Sequence, residues 1–411
     1  MKFNRRIIPN TKPNQNFVTK KRFKEDEINF DKLRSYRLDR VKKELEKNNL
    51  EACILFDPVN IRYSLDSVNM SVYNMHNLTR YCFVPVNGPV ILYEYFNCEK
   101  MSEHLILIDE IRPAITWDYF SNGDQASIQL KKWVNEVKDL SNSYFKSKKI
   151  AIDVINGPAV SLLNKIGIEV VDAKLILEQA RVIKSADELK CMKAAIDVAE
   201  IGVSRMRDEL KAGMTEDELW SILHKTNIEH GGEWIECRIL SSGERTNPWM
   251  QESTNKIIQS GEIVSFDTDM VGPYGYCADI SRTYVEGNIF SDNQKKLYSM
   301  AVDQINYNTR LIKPGMSFKE FTDKSWVLPE EYYGNRYSVM VHGVGLCDEW
   351  PAIRYPTDGG ERSGTFETNM TITVESYIGK VGGKEGVKLE QQYLVGKNNL
   401  ELMSHHPLED I

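Results

Sequence analysis

No CxxC pair occurs in this chain, and its seven cysteines (Cys53, Cys82, Cys98, Cys191, Cys237, Cys277, Cys347) are scattered and odd in number. Such a pattern does not build a disulfide framework and fits a reducing compartment. No apolar stretch reaches the roughly 20 residues that a bilayer requires, so no membrane partner is expected. The opening residues, MKFNRRIIPNTKPNQNF, lack the apolar core of a signal peptide, and cytoplasmic residence is the expectation. Excess positive charge is also missing. A net charge of −7 argues against nucleic acid as the main partner. Neither a low-complexity tract nor a clear internal repeat breaks the chain.

What is present is ordinary globular material, 41% hydrophobic and 27% charged, over a length that favours two domains. Residues 1–28 are polar and read as an extension. Residues 29–172 read as a small α/β domain. A charged helix over 32–48 leads into a strand over 52–56, with further strands over 81–86, 90–95 and 149–154. Residues 173–411 read as a second domain, in which helices alternate with long strand hairpins. Ser185 and Glu188 form a capping box that starts a helix running to about Lys211, stopped by Gly213. Thr215 and Glu218 cap the next helix in the same way.

Six ligand-type side chains stand out in the second half: Asp267, Asp269, Asp279, His342, Glu375 and Glu390. They are expected on two hairpins and a loop, with His342 on the loop. In SFDTDMVGPYGYCADISRTY, strand alternation puts Asp267 and Asp269 on one face. The turn around Tyr274 puts Asp279 opposite Asp269, about 5 Å away at Cβ. In TITVESYIGKVGGKEGVKLEQQYLVG, a turn at Gly382-Gly383 puts Glu375 opposite Glu390. Acids beside a turn are usually solvated, but these lie inside apolar strand patterns, where acids are almost never buried unpaired. Five carboxylates and one imidazole suit two divalent cations, about 3.5–4 Å apart, that share bridging carboxylates. Oxygen and imidazole donors favour iron, manganese, cobalt or zinc over copper.

The layout resembles the pita-bread metallohydrolases, the fold of methionine aminopeptidase, prolidase and creatinase. The resemblance rests on Arg181-Val182-Ile183-Lys184-Ser185, Asp269, Gly275-Tyr276, Asp279-Ile280-Ser281-Arg282-Thr283, His342-Gly343-Val344-Gly345-Leu346, Glu375 and Glu390. It implies an α/β (α+β) protein with a creatinase-like first domain before a pita-bread catalytic domain. Five residues fall on the family's metal positions: Asp269, Asp279, His342, Glu375 and Glu390. The peptidases also carry one histidine after a Ser-Gly and another just before a Glu beyond the metal-binding histidine. Here the first segment, Ser242-Gly243-Glu244-Arg245-Thr246-Asn247-Pro248-Trp249-Met250, has none. The second position is Asp348. Without those two histidines, amide hydrolysis is disfavoured.

These departures resemble one branch, the dimethylsulfoniopropionate (DMSP) lyases of the DddP type. The matching stretches include Phe56-Asp57-Pro58-Val59-Asn60-Ile61-Arg62-Tyr63, Gly231-Gly232-Glu233-Trp234-Ile235-Glu236 and Ser265-Phe266-Asp267-Thr268-Asp269, with Asp267 as a sixth ligand position. The resemblance implies cleavage of DMSP to dimethyl sulfide and acrylate at a two-metal site, with iron as the metal and Tyr337 and Asp348 as the catalytic pair. It also implies a homodimer. DMSP is a small zwitterion. Its elimination needs a cationic centre for the carboxylate, a base at the alpha carbon, for which Asp348 is the candidate, and aromatic faces for the sulfonium. Trp249, Trp350 and Tyr73 are the aromatic candidates, and Tyr73 stands where relatives are expected to have tryptophan. His76, in the same first-domain segment, is a further substrate-side candidate. The competing readings are an Xaa-Pro dipeptidase or creatinase-like hydrolase, and a binding protein that keeps the fold without catalysis.

Overall fold

The computed structural model describes residues 8–9, 21–359 and 363–411. Of the expected extension over 1–28, residues 1–7 and 10–20 therefore lie outside the described residues. Of the described residues, one compact unit holds 8–9 and Asn29–Arg181, and the other holds 21–28 and Val182–Ile411.

In the first unit Asn29 caps the helix Phe30–Lys47, its side chain accepting from the backbone N–H of Lys32. The wholly buried strand Ala52–Leu55 follows. It lies in a seven-stranded mixed sheet in the order Ile8–Pro9, Glu110–Pro113, Ile91–Glu94, Tyr81–Pro85, Ala52–Leu55, Lys149–Ile152, Glu169–Asp172. The helix Lys174–Arg181 stays with this unit, so the first unit ends at Arg181 and not at 172. Ile176, Leu177 and Ala180 of that helix are buried. Tyr63 Oη donates to the carbonyl of Ala180 at 2.7 Å, and Arg40 donates to those of Gln179 and Ala180.

The second unit opens with the helix Ala186–Glu209, and Ser185 and Glu188 form the expected capping box. Thr215 and Glu218 do the same for the helix Glu216–Glu229. Behind these helices stand two three-stranded sheets and one five-stranded antiparallel sheet. The last holds Asp348–Arg354, Val339–Val344, Thr371–Gly379, Gly386–Val395 and Leu400–Leu402 in that order.

Period-two patterning sets what each face of this sheet does. Ile372, Val374 and Ile378 of one strand and Val387 and Leu389 of the next share a core with Leu297, Tyr298, Ala301 and Ile305 of the helix Asp292–Leu311. The intervening residues Thr373, Glu375 and Tyr377, with Lys388, Glu390 and Gln392, form the other face, and all six are buried. Polar side chains thus line one face of a fully buried sheet, where each must find a partner or a ligand.

Candidate functional site

Two hairpins deliver the acids. In the five-stranded sheet Glu375 pairs directly with Glu390, as the turn at Gly382-Gly383 predicts. Its neighbouring strand contributes His342, which pairs with Thr373. His342 is therefore a strand residue of Val339–Val344 and not a loop residue. The glycines around it suggest a loop, but here they let neighbouring backbone approach. A Cβ on Gly343 would meet the carbonyl oxygen of Trp350 at 2.5 Å.

The other hairpin pairs Ile263–Phe266 with Arg282–Val285, and Met270–Val271 with Cys277–Ala278. Extending that register sets Asp269 across from Asp279. The expectation that Asp267 and Asp269 share a face by regular alternation needs correction, because the strand breaks between its two halves and Asp269 takes φ +33°. The kink, not alternation, turns Asp269 inward. The acids still converge: ligand-type atoms of Asp267, Asp269 and Asp279 lie within 4.8 Å of one another, as do those of Asp279, His342 and Glu390. Asp279 belongs to both groups.

The geometry fits divalent cations. His342 Nδ1 lies 3.0 Å from the carbonyl of Gly343, so a proton on Nδ1 leaves Nε2 free as the ligand atom. Nε2 is 3.3 Å from Asp279 Oδ2, 3.4 Å from Glu390 Oε1 and 3.6 Å from Glu375 Oε1. Three buried carboxylate oxygens of these residues, Asp279 Oδ1, Glu375 Oε1 and Glu390 Oε1, accept no hydrogen bond. Orphaned anionic oxygens in the interior are costly unless a cation completes them.

The proton affinities carry the same strain. Burial, together with Glu390, Asp267 and Asp269, pushes Asp279 well up. Burial and Asp267 do so for Asp269. Burial raises Glu375 to about 8, against the pull of Lys388. Burial opposes a charged His342, yet Asp348, Glu390 and Glu375 hold its pKa well above the usual imidazole value. The cluster thus draws positive charge to Nε2, as a proton or as a metal ion.

Lys388 is the residue that a search for ligands alone passes over. Its Nζ, fully buried, lies 2.8 Å from Glu390 Oε2, 2.9 Å from Glu375 Oε2, 3.2 Å from Asp267 Oδ2 and 2.8 Å from Ser281 Oγ. The K-x-E spacing to Glu390 on one strand was the available signal, since such residues share a face. Cys237 was also missed. Its thiol adjoins Asp269, and burial first, then Asp269 and Asp267, push its pKa up.

Asp348 begins the strand Asp348–Arg354, with Oδ1 3.7 Å from His342 Nδ1 and a side chain 59% exposed. It is the accessible acid at the rim of a buried cluster. Burial of its inner side raises its pKa, and His342 opposes the shift. Solvent on the open side limits how far the value moves. Tyr337 precedes the His342 strand. The charge of Glu375, then burial, raises its pKa, so it stands as a neutral hydroxyl.

Trp249 is buried in a small apolar group with Ile239 and Tyr377, against which Cys237 and Tyr337 pack. Lys388 Nζ lies 5.6 Å from the Trp249 ring centre and 5.5 Å from that of Tyr337, within the range of a cation–π contact. Trp350 packs edge-on to Phe318, ring centres 5.2 Å apart. Tyr73 and His76 stand on the short helix Ser71–His76 of the first unit, Tyr73 half-buried and His76 exposed.

Comparison with known proteins agrees with this construction. The model of metallopeptidase family M24 matches residues 190–397, a span that contains all six ligand-type residues. A dimethylsulfoniopropionate lyase DddP of Roseovarius nubinhibens is 36% identical over 92% of this chain and 87% of its own length. Its counterpart from Roseobacter denitrificans is 35% identical over 92% and 86%. The Xaa-Pro dipeptidase of Bacillus anthracis superposes with a TM-score of 0.74 over 91% of this chain and 98% of that one, at 19% identity, which shows a shared fold. The chain belongs to metallopeptidase family M24, in the branch that holds the DddP-type dimethylsulfoniopropionate lyases.

Proposed function

We propose that this protein cleaves DMSP to dimethyl sulfide and acrylate by β-elimination at a two-cation centre, with Asp348 as the base. The observation that carries the reading is Asp348 itself. It is an accessible carboxylate at the rim of the ligand cluster, at a position where the peptidases of this fold resemble one another in having histidine. The chain's relatives named as DMSP lyases cover 92% of it.

The chain's own residues account for the steps. Asp348 takes the proton from the carbon alpha to the substrate carboxylate. The C–H electron pair becomes the new C=C bond, the C–S bond breaks, and its pair leaves on sulfur as neutral dimethyl sulfide. Because Asp348 is open to solvent, it can pass its proton on for the next turnover. Tyr337, held neutral, offers a hydroxyl donor beside Glu375. Trp249 and Trp350 are the second unit's aromatic candidates for the sulfonium end.

Asp279, His342, Glu375 and Glu390 would hold one cation, and Asp267, Asp269 and Asp279 the other. The bound ions supply Lewis acidity that draws charge from the substrate carboxylate and acidifies the adjacent C–H. Iron is the proposed resident metal, with manganese, cobalt and zinc as alternatives of the same ligand preference. A homodimeric, cytoplasmic enzyme completes the proposal. Among the described residues no helix is long and apolar enough to cross a membrane.

The test is headspace dimethyl sulfide from metal-analysed protein given DMSP, with an Xaa-Pro dipeptide as parallel substrate. Dimethyl sulfide and acrylate in equal amounts, with the dipeptide intact, is the expected result. Dipeptide cleavage without dimethyl sulfide would overturn the lyase reading in favour of a peptidase.

A further inference from the structure

The carboxylates of the cluster are divided between two kinds of positive partner. Around His342 Nε2 lie Asp279 Oδ2, Glu390 Oε1 and Glu375 Oε1, and both glutamate oxygens, with the other oxygen of Asp279, accept no hydrogen bond. The second oxygens of Glu375 and Glu390, with Oδ2 of Asp267, converge instead on Lys388 Nζ at 2.8 to 3.2 Å. Ser281 Oγ bridges the same corner, 2.8 Å from both Lys388 Nζ and Glu390 Oε2.

An ammonium has three protons to donate, and here four oxygens surround it, so its directions are fully used. Its side chain is wholly buried, and it cannot swing out to solvent. Each of the three carboxylates is thereby pinned by one oxygen and left to offer mainly the other.

We propose that Lys388 is a built-in counter-ion and positioning residue of the metal centre. It clamps one oxygen each of Asp267, Glu375 and Glu390, which keeps the site folded before metal arrives. Its fixed positive charge also weakens the attraction for divalent cations. This rests on reading the cluster as a two-metal site and is independent of the substrate. Unit charges about 4 Å apart interact by several kcal/mol even at an effective dielectric of about 20, enough to move affinity by an order of magnitude or more.

The experiment compares wild type, Lys388→Met, Lys388→Arg and the double variant Lys388→Met/Asp267→Asn. Each is measured for thermal midpoint after chelation, for midpoint with added Mn²⁺, and for Mn²⁺ affinity and stoichiometry. Lys388→Met is expected to melt lower than wild type when chelated, to gain more from Mn²⁺, and to bind Mn²⁺ about tenfold more tightly. Lys388→Arg, which keeps the charge, should stay near wild type in affinity. The double variant removes one carboxylate with the ammonium and should melt higher, when chelated, than Lys388→Met alone. It keeps the question open to an answer even if the single variant does not fold.

Equal losses of midpoint with and without Mn²⁺, with affinity unchanged, would reduce Lys388 to a packing role and overturn the proposal. So would a double variant less stable than Lys388→Met. A wild type that binds no divalent cation at all would instead remove the metal-centre reading on which the proposal stands.

Discussion

Asp153 in the first unit and Asp279 in the second are both buried aspartates, and they differ in what meets their oxygens. Asp153 Oδ1 accepts from the backbone N–H groups of Phe56 and Val154, and Oδ2 from the N–H of Asp57 and the amide of Asn60. It ties the end of one central strand to the next. Asp279 follows the strand Cys277–Ala278, its N–H donating to Gln392 Oε1, but its Oδ1 has no donor and neighbouring acids raise its pKa. The second unit also holds an acid of the satisfied kind. Glu216, fully buried, accepts from Ser242, Thr254 and Arg245. Burial of an acid is thus not in itself a functional sign. A buried acid whose donors are complete is structural, whereas buried acids that leave oxygens empty toward a common point mark a place for a cation.

Asp348 belongs to neither class, being exposed, and its replacement should have the largest effect. Asp348→Asn should lower kcat for DMSP elimination by about 10³-fold, with metal content unchanged by elemental analysis. Full activity would take Asp348 out of the mechanism. Next comes the comparison itself. Asp279→Asn should lose bound metal and activity, yet raise the melting temperature of the chelated protein, because it removes one mutually repelling charge. Asp153→Asn should do the reverse. It replaces an acceptor that faces backbone donors and should cost about 1–3 kcal/mol of stability with metal stoichiometry intact. If both variants shifted the chelated protein in the same direction, the distinction between satisfied and orphaned acids would fail.

A smaller effect is expected from Asp267→Asn. It should lower occupancy of one of the two cation sites, and unchanged stoichiometry would make Asp267 a neighbour of the ligands only. The smallest concerns the carboxyl-terminal segment, far in kind from the cluster. His406 Nε2 lies 2.9 Å from Tyr284 Oη, and burial, then Arg282 and Arg207, lower its pKa to about 4. A base depressed on folding contributes stability that is complete above its unfolded value of about 6.5 and lost as pH falls toward 4. Thermal midpoints measured between pH 7 and 4 should therefore drop less steeply in His406→Gln than in wild type. The half-open position of His406 keeps the difference small.

The hairpins were legible in the sequence because their evidence is local. A diglycine turn and period-two apolar spacing set Glu375 against Glu390, and the capping boxes at Ser185 and Thr215 follow from four residues each. What depends on distant packing was not legible. The flanking glycines of His342 suggest a loop, but its strand is held between Asp348–Arg354, which follows it directly, and the more distant Thr371–Gly379. The inward turn of Asp269 comes from a positive φ that alternation does not foresee. Lys388 looks like a solvated lysine in a list of residues, and only the folded sheet brings Asp267, Glu375 and Glu390 to its ammonium. The first unit's boundary shifted for a similar reason, since the helix Lys174–Arg181 is claimed by Tyr63 and Arg40 more than 100 positions earlier.

The measurement closest to the central claim is a count of divalent cations per chain in wild type and in Asp279→Asn. The account predicts two in wild type and a loss from both sites in the variant, since Asp279 belongs to both ligand groups. A folded wild type that holds none, or a variant that still holds two, would contradict it.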